Sequence, residues 1–401
     1  MNRFYGNLLT FGHFVADFYQ GALPALLPFL VSDKHFSYAA AAFLIFSANV
    51  SSSIIQPLFG ICSDKISVPW TLPLGVLLAG ISFGMSGVVD NYWVMAVFIA
   101  LSGVGIASFH PEGVKLANTF AGENKATGVS RFAAGGNIGF AVSPIITTEV
   151  LLLFGLKGTI ILSLPALIMC IIFLIQLPKL TKNKAQVTVK REVQAKNTAD
   201  EWKPFSRLTA TLTCRAMIFF GLNAFLPLYW IHVLNQSKRG GSIALSTLII
   251  VGAVGTLIAG RMADKFGNRK VIMTGFLTLI PLLFVFINVR NVILATLLLI
   301  PIGLSLYAPY SPMVVLGQKY LPNHMGLASG VTLGLAVTMG GVISPVLGWI
   351  SDNYGIHTAL SSLTILPIIA VFLTLTLTIP KVDLNRDSVN KVKFNVTRSG
   401  N

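Results

Sequence analysis

The sequence predicts an all-α polytopic membrane protein, with twelve transmembrane helices in two parallel six-helix repeats. Three observations carry that expectation. The first is composition: 54% of the 401 residues are hydrophobic and only 11% are charged, against about 25% charged in an ordinary soluble chain. A bilayer is the solvent that accounts for such an excess. The second is spacing. Apolar runs fall at 7–31, 39–61, 70–89, 92–116, 127–154, 156–177, 208–233, 243–262, 270–288, 291–316, 324–350 and 355–379, each near the roughly 20 residues that carry a helix across the hydrocarbon core. The third is an internal repeat. Gly60-Ile-Cys-Ser-Asp64-Lys65 returns 200 positions later as Gly260-Arg-Met-Ala-Asp264-Lys265, and Gly139-Phe-Ala-Val-Ser-Pro144 returns at an offset of 201 as Gly340-Gly-Val-Ile-Ser-Pro345. Gly21 with Leu27-Pro28 is echoed by Gly221 with Leu226-Pro227. Six spans is an even number, so both halves enter the membrane from the same side. That is a parallel repeat about the membrane normal, with a cavity expected between the halves.

The runs divide the chain into an N-terminal bundle (1–178), a polar linker (179–207), a C-terminal bundle (208–380) and a tail (381–401). The linker holds Lys179, Lys182, Lys184, Lys190, Arg191, Lys196, Lys203 and Arg207 and reads as a solvated segment, with anionic lipid headgroups as a weaker option. Of the 29 Lys and Arg, Lys34, Lys157, Lys238, Arg239 and Arg290 fall on one side, Arg131 and Arg215 lie within spans, and the other 22 fall with the termini. That bias puts both termini in the cytoplasm. The net charge of +15 does not signal nucleic acid, because the basic residues are scattered through loops with no aromatic-interleaved basic face. Cys62, Cys170 and Cys214 are far apart, so they read as packing residues rather than a disulfide framework or zinc site. The first run is long, contains His13 and Asp17, and lacks a small-residue cleavage site. It reads as a retained helix rather than a signal peptide.

An ionisable residue inside a span is costly and marks function by default. His13 and Asp17 are four apart, on one helix face; at about 1.5 Å per residue Asp17 lies about 15 Å from the cytoplasmic end. The pair suits proton exchange, or simply fixes helix packing. In Ser108-Phe-His-Pro-Glu-Gly113, counted from Lys115, His110 is about 8 Å and Glu112 about 5 Å deep. Two residues apart, they stand on different helix faces unless Pro111 distorts the helix. Arg131 sits at similar depth in span five, and a Glu112–Arg131 pair would relieve a buried carboxylate. Arg215 is an intramembrane cation whose guanidinium suits a phosphate or phosphonate; the alternative is a salt bridge between helices. Asn137 is a candidate hydrogen-bond donor to substrate or to a neighbouring helix. Tyr229, Trp230, Tyr307 and Tyr310 line the cavity or pack in the core. Glu149, near the outer end of span five, is an interfacial residue or an outer gate. The glycines 128, 135, 136, 139, 330, 334, 340 and 341 allow close helix approach.

The two Gly-x-x-x-Asp-Lys loops, after spans two and eight, resemble the signature loop of the major facilitator superfamily. The second copy is fuller, with Gly260, Asp264, Lys265, Gly267, Arg269 and Lys270. The first departs after Lys65, where Ile66-Ser67-Val68-Pro69 stands. The resemblance covers positions about 6–380 and implies gating roles for Asp64, Lys65, Asp264, Lys265 and Arg269. Within the superfamily, His13 and Asp17, the Ser108–Gly113 stretch, and Arg215 with Phe225-Leu-Pro-Leu-Tyr229 resemble the fosmidomycin-resistance efflux proteins. This implies proton-coupled drug export in a bacterial cytoplasmic membrane.

The expectation is therefore a carrier that rocks between inward- and outward-open states, exporting a small polar or anionic drug such as fosmidomycin while protons enter. Asp17 and Glu112 are the leading carboxylates for protonation, with His13 and His110 as modulators; Arg215 and Arg131 are the leading anion partners. Two alternatives stay open: a proton-linked importer of an organic anion, and a membrane ligand sensor without turnover. No nucleophile–base–orienter set or metal-ligand cluster is visible in the sequence, so neither an enzyme nor a cofactor is expected. The expected partners are a small-molecule substrate, protons and membrane lipid, and a monomer suffices.

Overall fold

The computed structural model describes residues 3–65, 68–121, 125–182, 199–324, 327–328, 331–332 and 336–380. Every regular element among them is helical. The first half comprises α1 (Arg3–Asp33), α2 (Tyr38–Lys65), α3 (Thr71–Ser86), α4 (Tyr92–Phe120), α5 (Lys125–Phe154) and a 3-10 turn (Leu156–Ser163) leading into α6 (Leu164–Lys182). The second comprises α7 (Trp202–His232), α8 (Lys238–Phe266), α9 (Asn268–Asn288), α10 (Val292–Tyr307) with α11 (Tyr310–Tyr320), α12 (Ala336–Gly341) with α13 (Ile343–Tyr354), and α14 (Ile356–Ser362) with α15 (Ile365–Leu375). Ten spans are long and apolar enough to cross a membrane among the described residues. The two others are α3, with 16 residues, and the eleventh run, part of which lies outside the described residues.

Local chemistry sets the helix ends. The side chains of Asn91, Ser237 and Asn291 accept amide hydrogens in the first turns of α4, α8 and α10, which leaves fewer orphan donors there. Gly267 and Gly355, with φ of 91° and 84°, make the short reversals into α9 and α14 that other residues resist. The run predicted as one helix at 291–316 is two, α10 and α11, meeting at Ala308-Pro309, because proline supplies no amide to continue the ladder.

The first half is built on backbone contact between α1 and α5. A Cβ at Gly139 would stand 2.1 Å from the Phe14 carbonyl oxygen, and one at Gly135 2.3 Å from that of Thr10. The second half repeats the device: a Cβ at Gly340 of α12 would stand 2.3 Å from the Ala216 Cβ of α7. The expected close approach at Gly135, Gly139 and Gly340 is thus present. Cys170 and Cys214 are buried and unbridged, in line with their reading as packing residues; the side chain of Cys62 lies outside the described residues.

Side-chain bonds between the halves cluster at the end opposite both termini. Thr148 of α5 meets Ser242 of α8 at 2.5 Å. Arg239 Nη2 donates to Glu149 Oε2 at 2.6 Å, and its Nε to Oε1. Lys238 lies 3.3 Å from Asp33. Asp352 of α13 accepts the Tyr38 and Ala39 amides at 2.7 and 3.0 Å, so one half caps a helix of the other. At the termini end, contacts hold the C-terminal half together. Asp200 accepts the Asn323 amide at 3.1 Å and His324 Nδ1 at 2.6 Å, and Arg207 donates to Thr376 O at 3.0 Å.

Candidate functional site

In the first half, α1 and α4 bring three donor groups to one point. His13 Nε2 lies 3.1 Å from Asp17 Oδ2, and His110 Nε2 lies 2.9 Å from Asp17 Oδ1 and 3.1 Å from His13 Nε2. The depth count had set His110 well short of Asp17. That count starts at Lys115, whereas α4 continues to Phe120, so His110 lies deeper than the count gives, and the 2.9 Å contact sets it at the height of Asp17. His110 is therefore a direct partner of the carboxylate. The members of the cluster come from two helices, with Asp17 and His110 93 positions apart, so no local spacing reveals their meeting.

The backbone fixes both rings. His13 Nδ1 donates to Phe132 O at 2.7 Å, and His110 Nδ1 donates to Ile106 O at 2.8 Å. A carbonyl only accepts, so both Nδ1 atoms carry hydrogen and both Nε2 atoms face Asp17. The His13 ring also stacks on Phe132, with centroids 4.0 Å apart. Gly136 of α5 makes room for the group, since a Cβ there would stand 2.3 Å from Asp17 Oδ2. Phe132 and Gly136 were not singled out as site residues; in sequence one is an apolar residue and the other a packing glycine.

Glu112 faces elsewhere, as its spacing from His110 predicted. It is fully buried, with the Val68 amide 3.5 Å from Oε2. The expected Glu112–Arg131 pair is not formed. Arg131 is exposed and lines a groove with Arg3, Asn7 and Phe120. Asn137, two turns deeper, is also exposed.

In the second half, Arg215 is buried, with 6% of its surface exposed. Its Nε donates to Leu306 O at 3.0 Å. The guanidinium carbon lies 5.4 Å from the Phe219 ring centroid, 5.4 Å from Tyr307 and 4.6 Å from Tyr310. Rings of this kind attract a cation through their negative faces. No carboxylate pairs with Arg215 among the described residues, so the salt-bridge alternative is not realised. The Tyr307 hydroxyl beside Arg215 is buried and lies next to the Asn223 side chain. The repeat relates the two sites. Arg215 sits on α7, the first helix of the second half, as His13 and Asp17 sit on α1, the first helix of the first half.

Tyr229 is not a cavity residue in this conformation. It is fully buried, its hydroxyl donates to Ile287 O at 2.9 Å, and it packs on Phe286. Trp230 is core as well. Among the expected gate residues, Asp264 and Lys265 are exposed. Arg269 holds the end of α15 through Thr374 O at 3.3 Å and Leu375 O at 2.7 Å. The side chains of Asp64 and Lys65 lie outside the described residues. Glu149 belongs to the bonds that join the halves.

With this geometry in place, comparison with known proteins is informative. The Major Facilitator Superfamily family profile matches residues 9–345. An uncharacterized MFS-type transporter of Bacillus subtilis, YfnC, is 28% identical over 366 residues, covering 90% of this chain and 89% of that protein. The fosmidomycin resistance protein of Escherichia coli is 24% identical over 370 residues, covering 90% of each. A bacterial homolog of the human lysosomal transporter Spinster, in an inward-facing and unoccupied conformation, shares the fold with a TM-score of 0.80 at 13% identity, over 93% of this chain and 96% of that one. A profile match over most of the chain and a shared helical architecture lead to one conclusion. The chain is a multi-pass membrane transporter, not an enzyme, and it belongs to the Major Facilitator Superfamily.

Proposed function

We propose that this protein is a proton-coupled antiporter that exports a small anionic compound of the phosphonate class across a bacterial cytoplasmic membrane. The observation that carries the reading is Arg215: a buried guanidinium held by one backbone carbonyl and three aromatic rings, with no carboxylate paired to it among the described residues. A buried cation left so is costly, and an oxyanion seated on its free N–H groups relieves that cost through charge-assisted bonds. The His13–Asp17–His110 group in the other half supplies the proton side. With both Nδ1–H groups committed to carbonyls, a proton added at either Nε2 goes directly onto Asp17's hydrogen bond. With the termini in the cytoplasm, the halves are latched at the periplasmic end, and the conformation is inward-facing.

The similarity to the E. coli fosmidomycin resistance protein supports phosphonates as the first compounds to test. The test is a drug-susceptibility panel including phosphonates, in cells lacking the protein, expressing it, or expressing Arg215→Gln. Wild type is expected to lower sensitivity to at least one anionic drug and Arg215→Gln to abolish that protection. Sensitivity unchanged by the wild type across the panel counts against export.

A further inference from the structure

We propose that His13, Asp17 and His110 form a binding site for one divalent transition-metal cation of the zinc class, and that the bound cation stops the transporter. The first ground is convergence. Among the described residues these three are the group of His, Cys, Asp or Glu donors whose atoms all lie within 4.8 Å of one another. Their closest separations are 2.9 Å from His110 Nε2 to Asp17 Oδ1, 3.1 Å from His13 Nε2 to Asp17 Oδ2, and 3.1 Å between the two Nε2 atoms. Donors about 2.0–2.2 Å from a shared zinc ion, at angles near 90–110°, stand roughly 3.0–3.4 Å apart. The two imidazole nitrogens already stand at that spacing, and the carboxylate, which turns a different oxygen to each ring, completes the set by using both oxygens or by rotating one toward the ion.

The second ground is independent of those distances. Both imidazoles are oriented from behind, His13 by Phe132 O and His110 by Ile106 O. That outer bond fixes the tautomer and aims the other nitrogen, as it does for histidines that ligate metals. His13 is further held by its stack on Phe132.

The third ground is what protons leave unsatisfied. Each Nε2 carries at most one hydrogen, directed along one line. If one ring is protonated, the other Nε2 turns a lone pair toward the carboxylate. If both are, two N–H groups meet at 3.1 Å. A single cation on the common axis satisfies all three donor pairs together. Two imidazoles with a carboxylate suit zinc, cobalt or nickel, while magnesium and calcium favour oxygen-only sets. Side-chain exposures of 10%, 16% and 19% leave the donors within reach of solvent.

The site takes the same atoms that the transport reading gives to protons, so occupancy by metal excludes them. Metal binding itself does not rest on that reading. The test uses the tag-free full chain, purified in detergent and stripped with a chelator. Zinc chloride is titrated calorimetrically, with no substrate or gradient present, and cobalt(II) absorption reports the ligand geometry. The wild type is expected to bind one zinc per chain and to gain thermal stability with it, since a ligand that binds only the folded state stabilises that state. His110→Ala and Asp17→Asn are each expected to weaken binding by roughly a hundredfold or more, because even an outer-shell loss costs 10–100-fold. His324→Ala, at the exposed cytoplasmic loop, is expected to leave binding unchanged. Absence of stoichiometric zinc binding in the wild type overturns the proposal. So does full-strength binding in both His110→Ala and Asp17→Asn. If a variant does not fold, a cobalt spectrum of the wild type lacking nitrogen–oxygen coordination decides against the site. In proteoliposomes, zinc on the cytoplasmic face is expected to arrest transport; transport unaffected at saturating zinc contradicts the inhibitory part alone.

Discussion

His110 of α4 places its Nε2 2.9 Å from Asp17 Oδ1 of α1, and this contact ties the proline-containing stretch of α4 to the carboxylate in α1. It makes one unit of a pair on α1 and a histidine on α4 that sequence spacing keeps apart. The same half rests on glycine contacts, and the two halves on a latch at one end, so stability and conformational balance can be tested apart from the site.

Gly139 is the tightest of these packing points. A Cβ there meets the Phe14 carbonyl oxygen at 2.1 Å, and backbone cannot swing aside as a side chain does. Gly139→Val is expected to cost about 3 kcal/mol or more, the upper range for overpacking, and to lower the thermal midpoint and the yield of monodisperse protein. Gly6→Ala, where nothing lies within 4 Å, is expected to be neutral. Equal stability of the two variants contradicts the α1–α5 contact.

The latch between the halves consists of Glu149 with Arg239 and of Asp352 on the start of α2. Loss of a helix cap costs about 0.5–2 kcal/mol, and an exposed ion pair adds little to that. Glu149→Gln combined with Asp352→Asn is therefore expected to shift the balance toward the state open at the latch end. Spin labels at the outer ends of α5 and α8 read this as a longer distance population. An unchanged distribution removes the latch from the mechanism.

Much of the fold was legible because each signal was local. Apolar run length gave the spans, and the 200-residue offset gave the repeat. The site was legible only in part. His13 and Asp17 announce themselves on one helix, but the meeting with His110 depends on where α4 ends, and the helix runs five residues beyond Lys115. The Glu112–Arg131 pair failed because depth alone says nothing about which way α5 turns a side chain. Tyr229 was ambiguous in principle: an aromatic residue near a span end satisfies cavity, belt and core equally until its hydroxyl finds Ile287 O. Asp352 as a cap on the other half has no sequence signal, being 314 positions from Tyr38.

The end of the linker docks through Asp200. Burial opposes its ionisation, but the Asn323 amide and the His324 ring outweigh it and hold the carboxyl below its usual range. A depressed folded value gives stabilisation that is present above the ordinary carboxylate range and lost as pH falls through the lowered value. Protection of residues 199–205 against hydrogen exchange is expected to hold at neutral pH and fall in acid, and to be reduced at neutral pH in Asp200→Asn. Protection independent of both acid and that substitution rules out Asp200 as the anchor.

The central claim is that Asp17 couples protons to movement of an anion held at Arg215. Everted membrane vesicles with an imposed proton gradient test it most directly, using a labelled phosphonate drug that the susceptibility panel identifies. The wild type is expected to accumulate the compound against its gradient. Asp17→Asn is expected to retain downhill exchange while gradient-driven accumulation falls to background. Undiminished gradient-driven accumulation by Asp17→Asn contradicts the claim.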